Sequence, residues 1–381
     1  MSSKKIMKIK PCDNLFLGTG KQFIKEESTW LSTRLIPYPS VFQGAIASLM
    51  LAKNRNKRKK YIDEDDYLSD PRNYLKIGRI YLYNDKDREV YMSAPLDLFL
   101  DEYGKCHFLN IKRIDTNIIC SVEGVSHLFF NEISGDSERV DGMFIKYRNF
   151  YNSYCYTQES IVVIKPSDIV SDSYKVGIQL NENHTTKEGH LYRIDLTEFK
   201  EDDEESWSYL VEYAMDDSWW DGETNQLEKG YLKLGGENKA CKFWCYDIEK
   251  LLRDYSNIYN KINENEYVKI LLTTPCEFKS GNWKPEFKNI EVVAAAIGKG
   301  YDIGGFDMKL KIPKPMNKAV PEGSIYILRG SDLKGKCLGE IRKIIEEENI
   351  LKEETKIRLN GFSWFEVISI SELQMQEVGE G

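Results

Sequence analysis

Histidine is scarce in this sequence. His107, His127, His184 and His190 serve 381 positions, which leaves few places for imidazole acid–base chemistry. No run of about 18 apolar residues occurs, so no membrane-crossing helix is expected. The opening Met1-Ser2-Ser3-Lys4-Lys5 has no apolar core of the kind a secretory signal needs, and a cytoplasmic location is the expectation. The 8 cysteines are scattered. Cys241 and Cys245 form the one close pair, and no second pair completes a zinc quartet. Reduced, mostly buried thiols follow. A Gly-Gly-Asp-Asp palm signature, a phosphate-binding P-loop and His-Asp metal pairs are missing too. Asp13 and Asp307 read as turn or cap residues, and neither a metal nor a cofactor is implied.

Positive charge is in deficit overall. Lys and Arg total 53 against 61 Asp and Glu, a formal net charge of -8. That balance argues against autonomous, non-specific nucleic-acid binding but leaves room for a local basic groove. The densest basic run lies at 53–60, where Lys53, Arg55, Lys57, Arg58, Lys59 and Lys60 precede Asp63-Glu64-Asp65-Asp66. It reads either as a self-neutralising solvated loop or as an arm touching phosphates. With 23 Tyr and 16 Phe, aromatics suit β-rich layers and supply faces for base stacking.

A chain of this length predicts two packed units. A first strand is expected over Ile6 to Leu17, turning at Gly18-Thr19-Gly20. After Pro37-Tyr38-Pro39, Ser40 is placed to cap a helix whose apolar face is Val41, Phe42, Ala45, Ile46, Leu49 and Met50. Gly44 in that helix costs about 1 kcal/mol against Ala and suggests a close contact. Residues 75–83 and 88–93 read as paired strands. Val176 to Arg193 reads as a projecting β-hairpin with a polar tip. Acidic runs frame an insertion at about 200–225 that holds Trp207, Trp219 and Trp220, either a solvated loop or a docking patch. Ile248, Leu251, Leu252, Tyr255, Tyr259 and Ile262 share one face of a long helix. Strands follow at Val268 to Thr273, Ile290 to Ile297 and Ser324 to Leu328. A helix near Leu338 to Leu351 and a strand at Phe362 to Ile370 close the chain. Residues 95–160 give the weakest pattern. The expected class is α+β, with helices against one face of a sheet.

The stretch from Ile303 to Leu328 joins a glycine pair, Gly304-Gly305, to the rigid Pro313-Lys314-Pro315 and then to a buried strand. It offers backbone to a partner and holds no motif for a nucleophile or general base.

Several blocks, in order, resemble one family. They are Pro11-Cys12-Asp13-Asn14-Leu15-Phe16-Leu17 with Gly20-Lys21-Gln22-Phe23; Pro37 to Ala45; Gly177-Ile178-Gln179-Leu180 with Lys187-Glu188-Gly189-His190-Leu191-Tyr192; and Leu234-Gly235-Gly236-Glu237. They continue with Leu272-Thr273-Thr274-Pro275-Cys276-Glu277-Phe278, Asn282-Trp283-Lys284-Pro285, and Gly304-Gly305-Phe306-Asp307 through Val320 to Tyr326. The chain resembles the RAMP superfamily of CRISPR-associated proteins, and within it the third-subunit family of type III-B Cmr effector complexes. It departs from the pattern at Ala47, where relatives often carry a basic residue, and at Asn360-Gly361-Phe362, a reduced form of the C-terminal glycine-rich segment.

The resemblance implies two ferredoxin-like (RRM-like) halves, assigned to 1–160 and 161–381, with a thumb-like hairpin at about 176–193 and loop insertions. It implies a non-catalytic subunit that grips the 5′ handle of CRISPR RNA beside the large polymerase-like subunit and the RAMP backbone subunits. The RNA contacts expected on these grounds are of three kinds. Backbone at Gly44, Gly235, Gly236, Gly304 and Gly305 approaches phosphates. Charge comes from Lys21, Arg34, Lys53, Arg55, Lys57, Arg58, Lys59 and Lys314. The hairpin adds His184, Lys187 and His190. Two other readings stand beside this one: a RAMP-type endoribonuclease using a histidine, and a protein-only adaptor docking through its Trp-rich insertion.

Overall fold

The computed structural model describes residues 4–19, 30–114, 125–133, 135–155, 160–180, 186–201, 206–222, 227–307, 312–348, 350–351, 360–370 and 375–376; for 179–180, 186–191, 306–307 and 375–376 only the backbone is described. It is a mixed α/β molecule, rich in sheet and with few helices. An eight-stranded sheet, antiparallel throughout, runs in the order Val163–Ile164, Phe144–Lys146, Glu89–Ser93, Leu75–Asn84, Trp207–Met215, Lys5–Pro11, Lys239–Asp247, Lys229–Leu234. A four-stranded antiparallel sheet runs Glu291–Ala296, Ile325–Arg329, Tyr267–Leu272, Phe365–Ser369.

Helix α1 (Pro39–Lys53) covers one face of the larger sheet. Phe42, Ala45, Ile46, Leu49 and Met50 are buried with Met7, Ile9, Leu75, Ile77, Tyr209 and Phe243, as the periodicity predicts. Each of the larger side chains contributes about 1.5–3 kcal/mol by leaving water. The helix starts two residues earlier than expected. Pro39 takes the first position, where its missing N–H costs nothing, and Tyr38 precedes it without a side-chain cap. Ser40 is therefore a helical residue and not the cap. The opposite face of the sheet packs on the four-stranded sheet, with Ile6, Tyr81 and Leu210 in one core with Ile270, Leu271 and Tyr326. Arg79 of one sheet and Glu366 of the other pair within that interface, where Arg342 also reaches Glu366 at 3.4 Å.

Four expectations need correction. Residues 248–262 form two short 3-10 turns, Ile248–Lys250 and Ser256–Asn260, and no long helix. Asp254 breaks the run by accepting the Ser256 amide at 2.8 Å and its hydroxyl at 3.1 Å. The first strand stops at Pro11, because Asp13 turns the chain by accepting the Asn14 amide. The basic run is not a loop but a helix, α2 (Arg55–Asp63), whose first turn Asn54 caps by accepting the Lys57 amide at 3.0 Å. The tryptophans of the insertion are core residues: Trp207, Trp219 and Trp220 are 3%, 0% and 2% exposed, so they form no docking patch. Residue 160 lies between Phe144–Lys146 and Val163–Ile164, neighbouring strands of the larger sheet, which takes strands as late as Lys239–Asp247, while the smaller sheet begins at Tyr267.

Candidate nucleic-acid interface

Arg34 is the most constrained of the candidate cations. Its guanidinium lies 4.1 Å from the Tyr301 ring centroid and 4.8 Å from that of Tyr38. It donates to the Ile36 carbonyl at 3.2 Å and to Glu322 at 3.3 Å. Tyr301 donates to the other Glu322 oxygen at 2.5 Å, and Tyr38 to the Thr19 and Asp302 carbonyls at 3.1 Å each. Burial raises the pKa of both phenols. Burial opposes the charge on Arg34, but Tyr301, Glu322 and Tyr38 outweigh it and its pKa rises. This arginine fastens the chain before α1 to the loop after the smaller sheet's second strand. It is committed internally.

That same loop carries Gly304 and Gly305. Strand Tyr301–Ile303 pairs with Asn317–Ala319, and Gly305 accepts the Lys314 amide at 2.9 Å. Ile303, Ala319 and Phe362 pack with Tyr38 against Val41, so the loop brackets the first turn of α1. A Cβ on Gly304 would meet the Met316 sulfur at 2.4 Å, whereas Gly305 meets nothing closer than 3.7 Å. Gly305 and Lys314 are exposed. One turn further on, Gly44 is exposed with open space over its Cα, so no contact among the described residues requires a glycine there.

Helix α2 divides its cations. Lys57 is half-buried, 4.6 Å from the Tyr74 ring, 5.3 Å from that of Trp219, and 3.5 Å from Asp221. It anchors the helix. Arg55, Arg58 and Lys59, with Lys53 at the end of α1, are exposed and can meet phosphates.

The second glycine pair is explained from within. Gly235 has φ +70, and a Cβ there would lie 2.5 Å from the Phe16 carbonyl oxygen. A Cβ on Gly236 would strike the Phe16 ring at 2.7 Å, and its amide already donates to that carbonyl at 2.9 Å. These glycines admit the chain's own 15–17 segment, and the Gly236 amide is already engaged by it.

Strands Val170–Leu180 and Thr186–Phe199 pair as a hairpin longer than expected. Gly177 sits opposite Tyr192, whose ring occupies the place of a Cβ. Tyr174, Val176 and Ile178 alternate outward and are about half exposed beside Trp30, while Arg193 stacks on Trp30 at 5.0 Å and on Tyr174 at 4.3 Å. Lys21 and His184 lie outside the described residues. So do the side chains of Lys187 and His190.

Among the described residues no group of His, Cys, Asp and Glu is placed to share a metal ion. Cys241 and Cys245 stand four residues apart on one strand, about 13 Å at the usual rise. Burial pushes their thiols up to about 12 and about 11. Asp13 is held below the ordinary carboxylate range by Lys239 at 2.6 Å. No described helix is long and apolar enough to cross a membrane.

The sequence profile of a family described as CRISPR-associated protein (Cas_Cmr3) matches residues 7–364. No curated protein matches the sequence. Among solved structures the chain is similar to one from the cryo-EM structure of the Type III-B Cmr-beta bound to cognate target RNA. The two are 18% identical, 95% of this chain and 96% of that one are covered, and the TM-score is 0.52. A chain from the Type III-B Cmr-beta bound to cognate target RNA and AMPPnP, state 1, is 18% identical over 94% of this chain and 95% of that one, with a TM-score of 0.47. The first of these likenesses is one of fold.

Proposed function

The chain belongs to the Cas_Cmr3 family of CRISPR-associated proteins, and from that premise we propose that it is a non-catalytic RNA-binding subunit of a type III-B effector complex. It grips the 5′ handle of the guide RNA and bridges the large polymerase-like subunit to the RAMP backbone. The observation that carries this reading is the extent of the family match, residues 7–364 of 381.

Physical features agree with it. In the larger sheet the strands Lys239–Asp247, Lys5–Pro11, Trp207–Met215 and Leu75–Asn84 are neighbours, giving the order fourth, first, third, second by chain position. The smaller sheet repeats that order. This is the strand order of a ferredoxin-like half. The first half keeps the helix between its first and second strands as α1. The second keeps the one between its third and fourth, Leu338–Glu347. The border between halves then falls between Asp247 and Tyr267. The long hairpin takes the part of a thumb, its outward aromatics facing splayed bases. Exposed α2 cations, with Gly305 and Lys314 beside α1, make the handle contacts.

The non-catalytic reading draws support from the two histidines whose side chains are described. His107 is held by Asp101 at 2.8 Å and stacked on Phe99, and His127 is tied to the Ser126 hydroxyl at 2.9 Å. The test is a filter-binding titration of handle-bearing RNA with the isolated chain, then with its large partner present. Affinity rises with the partner. Equal affinity in both arms contradicts the bridging role.

A further inference from the structure

One corner of the eight-stranded sheet carries a surface that the candidate contacts above leave out. Edge strand Lys229–Leu234 alternates strictly: Leu232 and Leu234 are buried while Lys229, Tyr231 and Lys233 are exposed. Side chains of directly paired residues point to the same face of a sheet. The register therefore sets Tyr231 beside Lys242, and Lys242 beside Lys10. The next row sets Lys229 beside Trp244, and Trp244 beside Lys8. The far end of this face is roofed by the smaller sheet, but the corner is open. Tyr231 is 64% exposed.

The charges of the corner sort into two groups. Lys8 is paired with Asp85, and its ammonium lies over Tyr83 and Trp244 at 4.9 and 5.7 Å; Lys10 is paired with Glu201. Lys229, Lys233 and Lys242 are exposed and have no ion-pair partner among the described residues. The acids at the rim are engaged elsewhere, Glu237 with Lys175, Asp13 with Lys239 and Asp247 with Lys250. An acidic protein has thus gathered, among its described residues, three lysines without an ion-pair partner around one uncovered aromatic ring.

We propose that this corner is a sequence-tolerant binding platform for single-stranded RNA, with a base stacked on Tyr231 and backbone phosphates held by Lys229, Lys233 and Lys242. An exposed π-face ringed by cations answers both parts of a single-stranded nucleotide, base and phosphate. An acidic polypeptide would use the cations and leave the ring idle. The proposal rests on the reading that this chain contacts RNA, and it adds a site separate from α2 and from the thumb-like hairpin.

The test uses the full chain and fluorescent oligouridylate and oligoadenylate, neither containing a handle, titrated at several salt concentrations. Tyr231→Ala lowers affinity about 5- to 150-fold for both oligomers, and Tyr231→Phe retains it. The Lys229→Gln, Lys233→Gln, Lys242→Gln triple variant lowers the salt slope by about 2. All positions are exposed, and matched melting curves establish that the variants fold. Oligomer binding and salt slope unchanged in both variants overturn the proposal. A loss in the lysine variant with Tyr231→Ala silent overturns it too, and assigns the corner to an acidic protein partner. Neither result touches the handle assignment, which is read separately from discrimination between guides with and without their 5′ segment.

Discussion

Reversing the exposed charges of α2 and of Lys53 before it separates the solvent-facing cations from the anchor. The perturbation is Lys53→Glu, Arg55→Glu, Arg58→Glu and Lys59→Glu together, with Lys57 kept because it holds the helix to Tyr74, Trp219 and Asp221. The Asn54 cap stays in place, and Arg55, Arg58 and Lys59, the reversed residues within α2, are exposed, so the fold is not strained. If all four meet phosphates, they contribute a slope of about 2.8 to the dependence of log affinity on log salt, or about 50-fold between 50 and 200 mM. The assay is fluorescence-anisotropy titration of handle-bearing RNA against the chain and its large partner at four salt concentrations. The variant loses most of that slope and binds weakly at every salt. Affinity and slope equal to those of the unaltered protein refute the assignment and leave α2 a solvated helix. Lys57→Met is the control: it lowers the melting temperature, through about 0.5–2 kcal/mol of lost cation–π attraction, and leaves the salt slope alone.

Arg34→Ala removes the stack between Tyr38 and Tyr301 and leaves Glu322 without its cation, which costs about 2–4 kcal/mol in urea unfolding; Arg34→Lys does not restore it, since a point charge cannot stack as a plane. Gly235→Ala costs about 2–4 kcal/mol by the same measure, because its φ is +70 and the Phe16 carbonyl stands 2.5 Å from the new carbon. Gly44→Ala raises stability by about 1 kcal/mol yet weakens assembly of the complex, measured by size-exclusion, since no described residue needs that bare surface and the proposed interface does; unimpaired assembly removes Gly44 from the interface. Burial, aided by Arg113 and Arg329, depresses the His127 pKa, so the unfolded chain takes up a proton that the folded chain refuses below about pH 6.5. Stability therefore falls as pH drops through that window, and the difference in melting temperature between pH 7 and pH 5 shrinks in His127→Gln. His184→Ala and His190→Ala leave RNA cleavage by the assembled complex intact; lost cleavage in either restores the nuclease reading.

Much of the fold could be read locally. The apolar face of α1, the paired strands at 75–93 and the apolar runs of the smaller sheet announce themselves, because one buried face or two impose a period on the residues. The run at 248–262 misleads for a physical reason: spacings of three and four fit two consecutive 3-10 turns as well as one helix, and Asp254 decides between them. Trp219 and Trp220 look exposed amid their acidic neighbours, yet Asp216 serves as a turn cap and the indoles enter the core. The candidate interface was less legible. Arg34 finds Glu322 across 288 positions, and Gly235 and Gly236 accommodate Phe16; pairings of that kind have no local signature. The cations of α2 were visible as a run, but only the helix shows that Lys57 turns inward while its neighbours face solvent. The lysine–tyrosine corner escaped notice because each strand shows a fragment and the register assembles the surface.

The most direct measurement of the central claim is reconstitution of the type III-B complex on two guides, one with its 5′ handle and one without, followed by native mass spectrometry of the products. The account predicts that this chain joins the complex on the first guide and is missing or substoichiometric on the second. Full incorporation on the handle-less guide contradicts it.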